Sequence, residues 1–355
     1  METSETLPAT DVKPNKKLGF TAIFISATAM GLVGTFGRLA TPLDANGDRY
    51  ITGDFLALGR MTVGAIGMFL IVLAVKKLPE LRKTKISFAV VAGGLCIGAS
   101  LAFYVSATLM TTIANAVFLI YTGPLFSAIL AAIFLKEKIN LTHGVFLGLV
   151  FVGMIMTVGL VTYTADTGLT FGLDLAANPE LPNKAMGDLF GLASGLFYGL
   201  ALFFYRFRPD ISSEVRGFYN FAFAIIGSLA VMIYRMTAID PTNPIEVMEA
   251  NHWAWAIGMF LICGLLAIGL LPMAGKNLLA VELSTVAYWE CVVALVLGVV
   301  VWNESMTLIG AVGGLLIIIG GIGPILSGLF RKRDPEPEAA LPPHSNVAPE
   351  LHVEH

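Results

Sequence analysis

Charge is what this chain most lacks. Asp, Glu, Lys and Arg make up 13% of its 355 residues, against 56% hydrophobic residues. A soluble domain carries nearer a quarter charged residues. The 50 residues from Ile86 to Leu135 contain no Asp, Glu, Lys, Arg or His at all. One helix of that length would run roughly 75 Å, against ~30 Å for the bilayer core. The stretch must therefore fold back, most simply at Thr108 to Thr112, giving two spans. Short alternating segments are also missing, and continuous apolar runs such as Val145 to Val158 argue against a β-barrel. Cysteine is scarce: Cys96, Cys263 and Cys291 lie in separate apolar segments, too dispersed for a metal cluster or an evident disulfide. The histidines (His143, His252, His344, His352 and His355) sit at segment edges or in the tail. No phosphate-cradling loop, catalytic-triad spacing or nucleotide-binding domain is visible. An enzyme, a metal, a cofactor and a nucleic-acid partner are therefore not expected.

What is present is a string of apolar segments. Cutting at polar breaks gives ten candidate helices near 18–37, 53–75, 87–107, 112–134, 143–163, 187–206, 217–234, 253–273, 282–302 and 307–329. The positive-inside rule tests that count. With a cytoplasmic N-terminus, 17 of the 22 Lys and Arg fall on the cytoplasmic side. Only Arg38, Arg49, Lys184 and Arg235 fall opposite, and Arg60 alone lies within a span. The reading is an all-α integral membrane protein of ten spans with both termini cytoplasmic, expected in a bacterial inner membrane. Residues 1–17 read as a cytoplasmic segment without a cleavable signal pattern. Residues 330–355, rich in Pro, Glu and Ala, read as a disordered cytoplasmic tail, with partner docking as the alternative.

The chain also repeats itself. Pro14-Asn15-Lys16 returns as Pro182-Asn183-Lys184, and the same offset of 168 pairs Ser26 with Ser194, Gly31 with Gly199 and Arg38 with Arg206. An offset of 167 pairs Cys96 with Cys263, Tyr121 with Tyr288 and Glu137 with Glu304. The halves are 18–163 and 187–329, joined by an external linker at 164–186. Five spans per half is an odd number, so the second half enters the membrane inverted relative to the first. Inverted repeats recur in secondary transporters, where two halves frame a midplane site. Transport by alternating access is the expectation, with a small molecule as substrate, lipid as surroundings and a monomer or homodimer as the assembly.

An ionisable side chain within a span costs about 2.5–3.5 kcal/mol on insertion scales, so it needs a reason. Arg60, in the second helix, would hold a carboxylate or other anionic group. Glu290, in the ninth, would hold an amine or a proton. Either could instead be a polar link that fixes helix packing. Aligning Gly67 with Gly227 places Asn220 opposite Arg60. Pro124, mid-span in the fourth helix, cannot donate to the Ile120 carbonyl and predicts a kink that shapes the cavity. Tyr104, Asn115, Tyr121 and Tyr288 lie at similar depth and are substrate-binding candidates, each also able to serve packing alone. Tyr288 and Glu290 are two residues apart, about 200° around a helix, so both cannot face one cavity.

The fourth-helix segment Tyr121-Thr-Gly-Pro124-Leu-Phe-Ser-Ala through Lys136-Glu137, the ninth-helix Tyr288-Trp-Glu290-Cys291 through Glu304, and Arg60 in Leu58-Gly59-Arg60-Met61 together resemble the EamA-like branch of the drug/metabolite transporter superfamily. The resemblance covers roughly residues 18 to 329. It implies secondary transport without ATP, commonly export of amino acids or other small metabolites. It also implies that a Glu at position 290 is better explained by architecture than by one substrate. Cys291 departs from the usual Pro and puts a ninth-helix kink in question. The long first external loop, Leu39 to Ile51, is a second departure. The expectation is export of a small polar or amphipathic metabolite, first an amino acid, with proton coupling through Glu290 if its acid is tuned by burial. The alternatives are an uptake permease, a cationic drug exporter, or a non-transporting subunit that docks a partner through its tail.

Overall fold

The computed structural model describes residues 15–136, 141–158, 160–164, 168–171, 182–208, 210–278, 283, 286–304 and 306–330. Glu137, Ser284, the tail beyond 330 and most of the 164–186 linker therefore lie outside the described residues. The first half runs α1 (Lys16–Gly31), α2 (Val33–Ala40), α3 (Gly53–Ala74), a short α4 (Leu78–Lys83), α5 (Phe88–Met110), α6 (Ile113–Ile120), α7 (Gly123–Phe134) and α8 (Leu141–Val158). A hairpin follows, β1 (Val161–Thr164) antiparallel to β2 (Gly168–Phe171). The second half runs α9 (Lys184–Phe204), α10 (Ser213–Ala238), α11 (Pro244–Val247), α12 (Ala250–Met259), a π-helical stretch (Phe260–Leu266), α13 (Ala267–Asn277), α14 (Trp289–Trp302) and α15 (Leu308–Phe330).

Among the described residues, seven helical segments are long and apolar enough to cross a membrane, counting α1–α2, α6–α7 and α12–α13 as one each. Three shorter apolar helices, Gly144–Thr157, Trp289–Trp302 and Leu308–Gly323, occupy the places of the remaining expected spans. Large apolar side chains such as Ile66, Leu70, Phe88, Val300 and Leu308 face outward, as lipid-facing positions do.

Local chemistry explains most boundaries. Asn15 caps α1 through its side-chain oxygen, which accepts from the Leu18 amide at 3.2 Å. Thr112 caps α6 by accepting from Asn115 N at 3.1 Å. The expected fifth helix, 143–163, ends at Val158 instead; Val161-Thr-Tyr-Thr is β-branched and aromatic, and Gly168 at φ 69° turns it into the hairpin. Within the expected ninth helix, 282–302, the described residues Leu283, Val286 and Ala287 are helical, a turn falls at Tyr288, and α14 runs on from Trp289. In both halves the helix ending near residue 134 or 302 is followed by a left-handed residue, Lys136 (φ 54°) and Asn303 (φ 50°). Those two positions are 167 apart, so the duplication reaches backbone conformation.

Packing obeys the same relation. α3 lies against its counterpart α10, and α8 against its counterpart α15. The contact of α5 with α9 is matched by that of α13 with α1, and α5 on α10 by the π-helical stretch on α3. Close approach needs small residues, as at the crossing of α5 and α10. A Cβ on Gly98 would strike the Ala224 carbonyl, and one on Gly227 the Leu95 carbonyl, while Ser228 Oγ donates to Gly98 O at 2.9 Å. Gly98→Ala is expected to lower stability by about 1–3 kcal/mol, read as a fall in the melting temperature of detergent-purified protein. Gly148→Ala, whose Cβ meets nothing within 4 Å, is the control and should melt with the wild type.

Candidate functional site

Where the two halves meet, a cavity of about 580 Å³ opens among α1, α3, α5, α9, α10 and α14. Its volume falls in the range that takes a small molecule. Its lining is mostly apolar and aromatic, with Arg60, Asn220, Glu290 and four tyrosines (Tyr104, Tyr121, Tyr198 and Tyr205) among its polar groups. It extends to Ser213 at the start of α10 and Gly275 near the end of α13, hence toward the face on which α1 begins.

Arg60 is 2% exposed and comes from the middle of α3. Its Nε donates to the Cys263 carbonyl at 3.0 Å, and one terminal nitrogen points at Met30 Sδ. Cys263 belongs to the π-helical stretch Phe260–Leu266. Gly264 lies beside Arg60, where a Cβ would make ordinary contact with Arg60 Cγ and O at 3.4 Å.

Glu290 begins α14 from the other half. Tyr121 Oη donates to Glu290 Oε2 at 2.8 Å. Tyr121 stands at the break between α6 and α7, where Pro124 occupies the first turn of the new helix and its missing N–H costs nothing. The second half breaks at the matching Tyr288, although Cys291 stands where a proline would be expected. The two break-point rings pack at 4.9 Å between centroids. Arg60 and Glu290 both face the cavity yet form no ion pair within 4.0 Å. Tyr104, 2% exposed, also lines it, and its buried hydroxyl has no hydrogen-bond partner among the described residues. Tyr121→Phe removes the bond that aims Glu290. It is expected to weaken ligand binding by about 1.5–3 kcal/mol, the worth of a hydrogen bond to a charged group, without unfolding the protein; a ligand titration of the purified variant checks it.

Five of the seven candidates from the sequence thus share this cavity: Arg60, Tyr104, Tyr121, Asn220 and Glu290. Tyr288 does not line it, because the helix sends it away from Glu290 and onto Tyr121. Asn115 does not line it either. Its Nδ2 donates to Thr157 O at 3.2 Å and Asp188 Oδ1 at 3.4 Å, a polar link near the start of α6. Tyr205, Met30 and Phe221 line the cavity without having been singled out. Apolar and interfacial residues carry no signal of their own; for Tyr205 the only clue was its place one residue before Arg206.

The opposite face is closed by charge. Arg38 pairs with Glu304, both under 10% exposed, and Arg38 also donates to Thr108 O at 2.9 Å and Thr111 O at 2.8 Å. Glu304 accepts from the Ile113 amide at 2.9 Å, capping α6 from the other half. Arg235 Nε donates to Asp54 Oδ2 at 2.9 Å, and Asp188 accepts from Thr111 at 2.6 Å and Lys184 at 2.6 Å. These contacts tie the ends of α2, α5, α6, α9, α10 and α14 across the two halves.

Comparison with known proteins agrees with this arrangement. No curated protein matches the chain. Among solved structures, one described only as the crystal structure of a protein aligns over 89% of this chain and 98% of its own, with 19% identity and a TM-score of 0.52. That likeness speaks to the fold alone. Residues 17–159 and 185–323 each match the model of the EamA-like transporter family, one match per half. The chain is a multi-pass membrane protein of the drug/metabolite transporter superfamily and belongs to the EamA-like transporter family.

Proposed function

We propose that this protein is a secondary-active transporter that moves a small zwitterionic metabolite, first an amino acid, out of the cell through a bacterial inner membrane. The observation that carries the reading is the pairing of opposite charges across one cavity without an ion pair. Arg60 offers a guanidinium fork to a carboxylate, and Glu290 offers an acceptor to an ammonium. Tyr104 and Asn220 add polar groups between them, and Met30, Phe221 and the tyrosine rings accept an apolar side chain. Ten spans arranged as two inverted five-helix repeats, with both termini cytoplasmic, fit the helix order, the paired packing and the basic residues on one face. In that orientation the cavity is cytoplasm-facing, and the ion pairs at Arg38, Asp54 and Asp188 hold the outer side shut. Alternating access then requires those pairs to open as the opposite ends close.

Thermal unfolding against amino acids, small organic acids and organic cations tests the substrate class. A ligand at about a hundred times its dissociation constant adds about 2.7 kcal/mol of stability. Stabilisation by zwitterions that Arg60→Ala removes supports the reading; stabilisation by carboxylate-free cations alone, lost with Glu290→Gln, overturns it. The cation alternative draws on the four tyrosines that line the cavity together with Glu290, since aromatic rings suit an organic ammonium. Glu290 is also the group through which protons would couple. Glu290→Gln in liposomes should then transport down a substrate gradient but ignore a pH gradient. A variant still driven by the pH gradient would remove Glu290 from coupling.

A further inference from the structure

The face opposite the start of α1 carries a second pocket, of about 410 Å³. Its walls come from both halves: the loop between α2 and α3, the end of α5, the start of α9 and the segment after α14. Five charged residues line it. Three of them are satisfied, Arg38 by Glu304 and Lys184 by Asp188. Asp48 and Arg49, adjacent in the sequence, are the two lining charges that make no ion pair among the described residues.

The loop that carries them is built rather than slack. Asp44 Oδ1 accepts from Asn46 N at 2.8 Å and from Asp48 N at 2.9 Å, and Asp44 N donates to Asp48 O at 2.7 Å. Gly47 turns the chain at φ 87°, which a side chain would disfavour, and Leu43 bridges to Arg49. Arg49 stacks on Trp302 with its guanidinium 5.0 Å from the ring centre and donates one N–H to Arg38 O at 2.9 Å. The remaining donors of its fork have no acceptor among the described residues. Partial burial first, and the neighbouring Arg38 charge second, push its pKa down to about 10, a cost that an arriving anion offsets. Leu43, Leu109 and Met110 add an apolar wall. The pocket thus repeats the composition of the central cavity: one unpaired cation, one unpaired acid, apolar and aromatic surface.

We propose that this outer pocket is a second binding site for a zwitterionic small molecule, with its carboxylate on Arg49, its ammonium on Asp48 and its side chain against Leu43 and Leu109. The ligand class rests on the zwitterion reading of the central cavity. The site stands directly on the Arg38–Glu304 closure, so it holds the molecule on the far side of the barrier from Arg60.

Trp302 is the reporter. Full-length protein in detergent is titrated with L-leucine, N-acetyl-L-leucine and L-leucine methyl ester while tryptophan fluorescence is followed, in the wild type and in an Arg60→Ala background that disables the central site. Arg60→Gln replaces that background if the alanine variant elutes as aggregate. The expected result is a saturable response to leucine in Arg60→Ala, absent with Trp302→Phe and weakened about tenfold or more by Arg49→Gln or by Asp48→Asn, as for one lost charge-assisted hydrogen bond. The two half-zwitterions should each bind more weakly than leucine. A response in the wild type that vanishes with Arg60→Ala overturns the outer site and leaves the central one standing. N-acetyl-leucine binding as well as leucine removes Asp48 and overturns the zwitterion assignment. Silence in both backgrounds overturns the outer site and leaves the central reading to the thermal-unfolding test.

Discussion

Replacing Arg60 by lysine is expected to abolish substrate-dependent flux although the charge is kept. The Arg60 fork does two things at once: its Nε holds the Cys263 carbonyl at 3.0 Å while one terminal nitrogen points at Met30 Sδ in the cavity lining. An ammonium is a single point of donation on a flexible stem and cannot hold the carbonyl and present a planar pair to a carboxylate together. Truncating one partner of a buried, hydrogen-bonded charge pair costs about 2–5 kcal/mol, which is roughly 30-fold to several-thousand-fold in affinity. Counterflow in proteoliposomes reads the flux, and the ligand-induced melting shift reads the binding. Both should be lost in Arg60→Lys while the unliganded melting temperature moves little. Undiminished counterflow in that variant would show that Arg60 is a packing residue.

The largest stability effect is expected at Asp54. Its pair with Arg235 is 1% and 2% exposed, joining α3 to α10. Removing the acid leaves a buried guanidinium with only the Asp240 and Thr242 carbonyls, at 2.9 and 2.8 Å, to receive it. Breaking a buried pair from one side costs about 3–5 kcal/mol, because the remaining charge is left uncompensated. Asp54→Ala should therefore melt well below the wild type. Asp54→Leu combined with Arg235→Met should recover most of the loss, since it removes both charges. If the single variant melts with the wild type, water reaches this pair and it does not seal the outer face. The double variant separates stability from cycling: if the pair opens during transport, its flux should change even where its melting temperature does not.

Much of this was legible in the sequence, and the limits have physical causes. The apolar segments and the 167–168 offset could be read directly, because a membrane permits few alternatives and duplication leaves residues in register. Arg60 and Glu290 stood out because charge within a span is rare. Tyr288 stood as a candidate beside Glu290 although helical angle sets the two apart, and the cavity lining includes Glu290 and not Tyr288. Asn115 was misleading because an amide at the right depth can serve a helix cap as well as a ligand, and only its neighbours Thr157 and Asp188 decide. The strand at Val161–Thr164 was hidden by apolar continuity with the helix before it. The π-helical stretch had no signature, since Phe260 to Leu266 reads as ordinary apolar helix. Asp48 and Arg49 stand in the long first external loop, and only the folded loop brings them to one pocket.

That π-helical stretch bears on energetics as well as geometry. Its counterpart in the first half, α5, is regular α-helix from Phe88 to Met110. Swapping the conformations of the two halves would therefore not regenerate the same molecule. A perfectly duplicated transporter would rest equally in its two orientations, with equal affinity on either side. Here one half carries a distortion that the other does not, and the degeneracy is lifted. A difference of only 1.4 kcal/mol already holds about ten molecules in one orientation for each in the other. Such a bias sets which way the empty protein faces at rest and how its apparent affinities differ on the two sides, while the gradients alone set the direction of net flux.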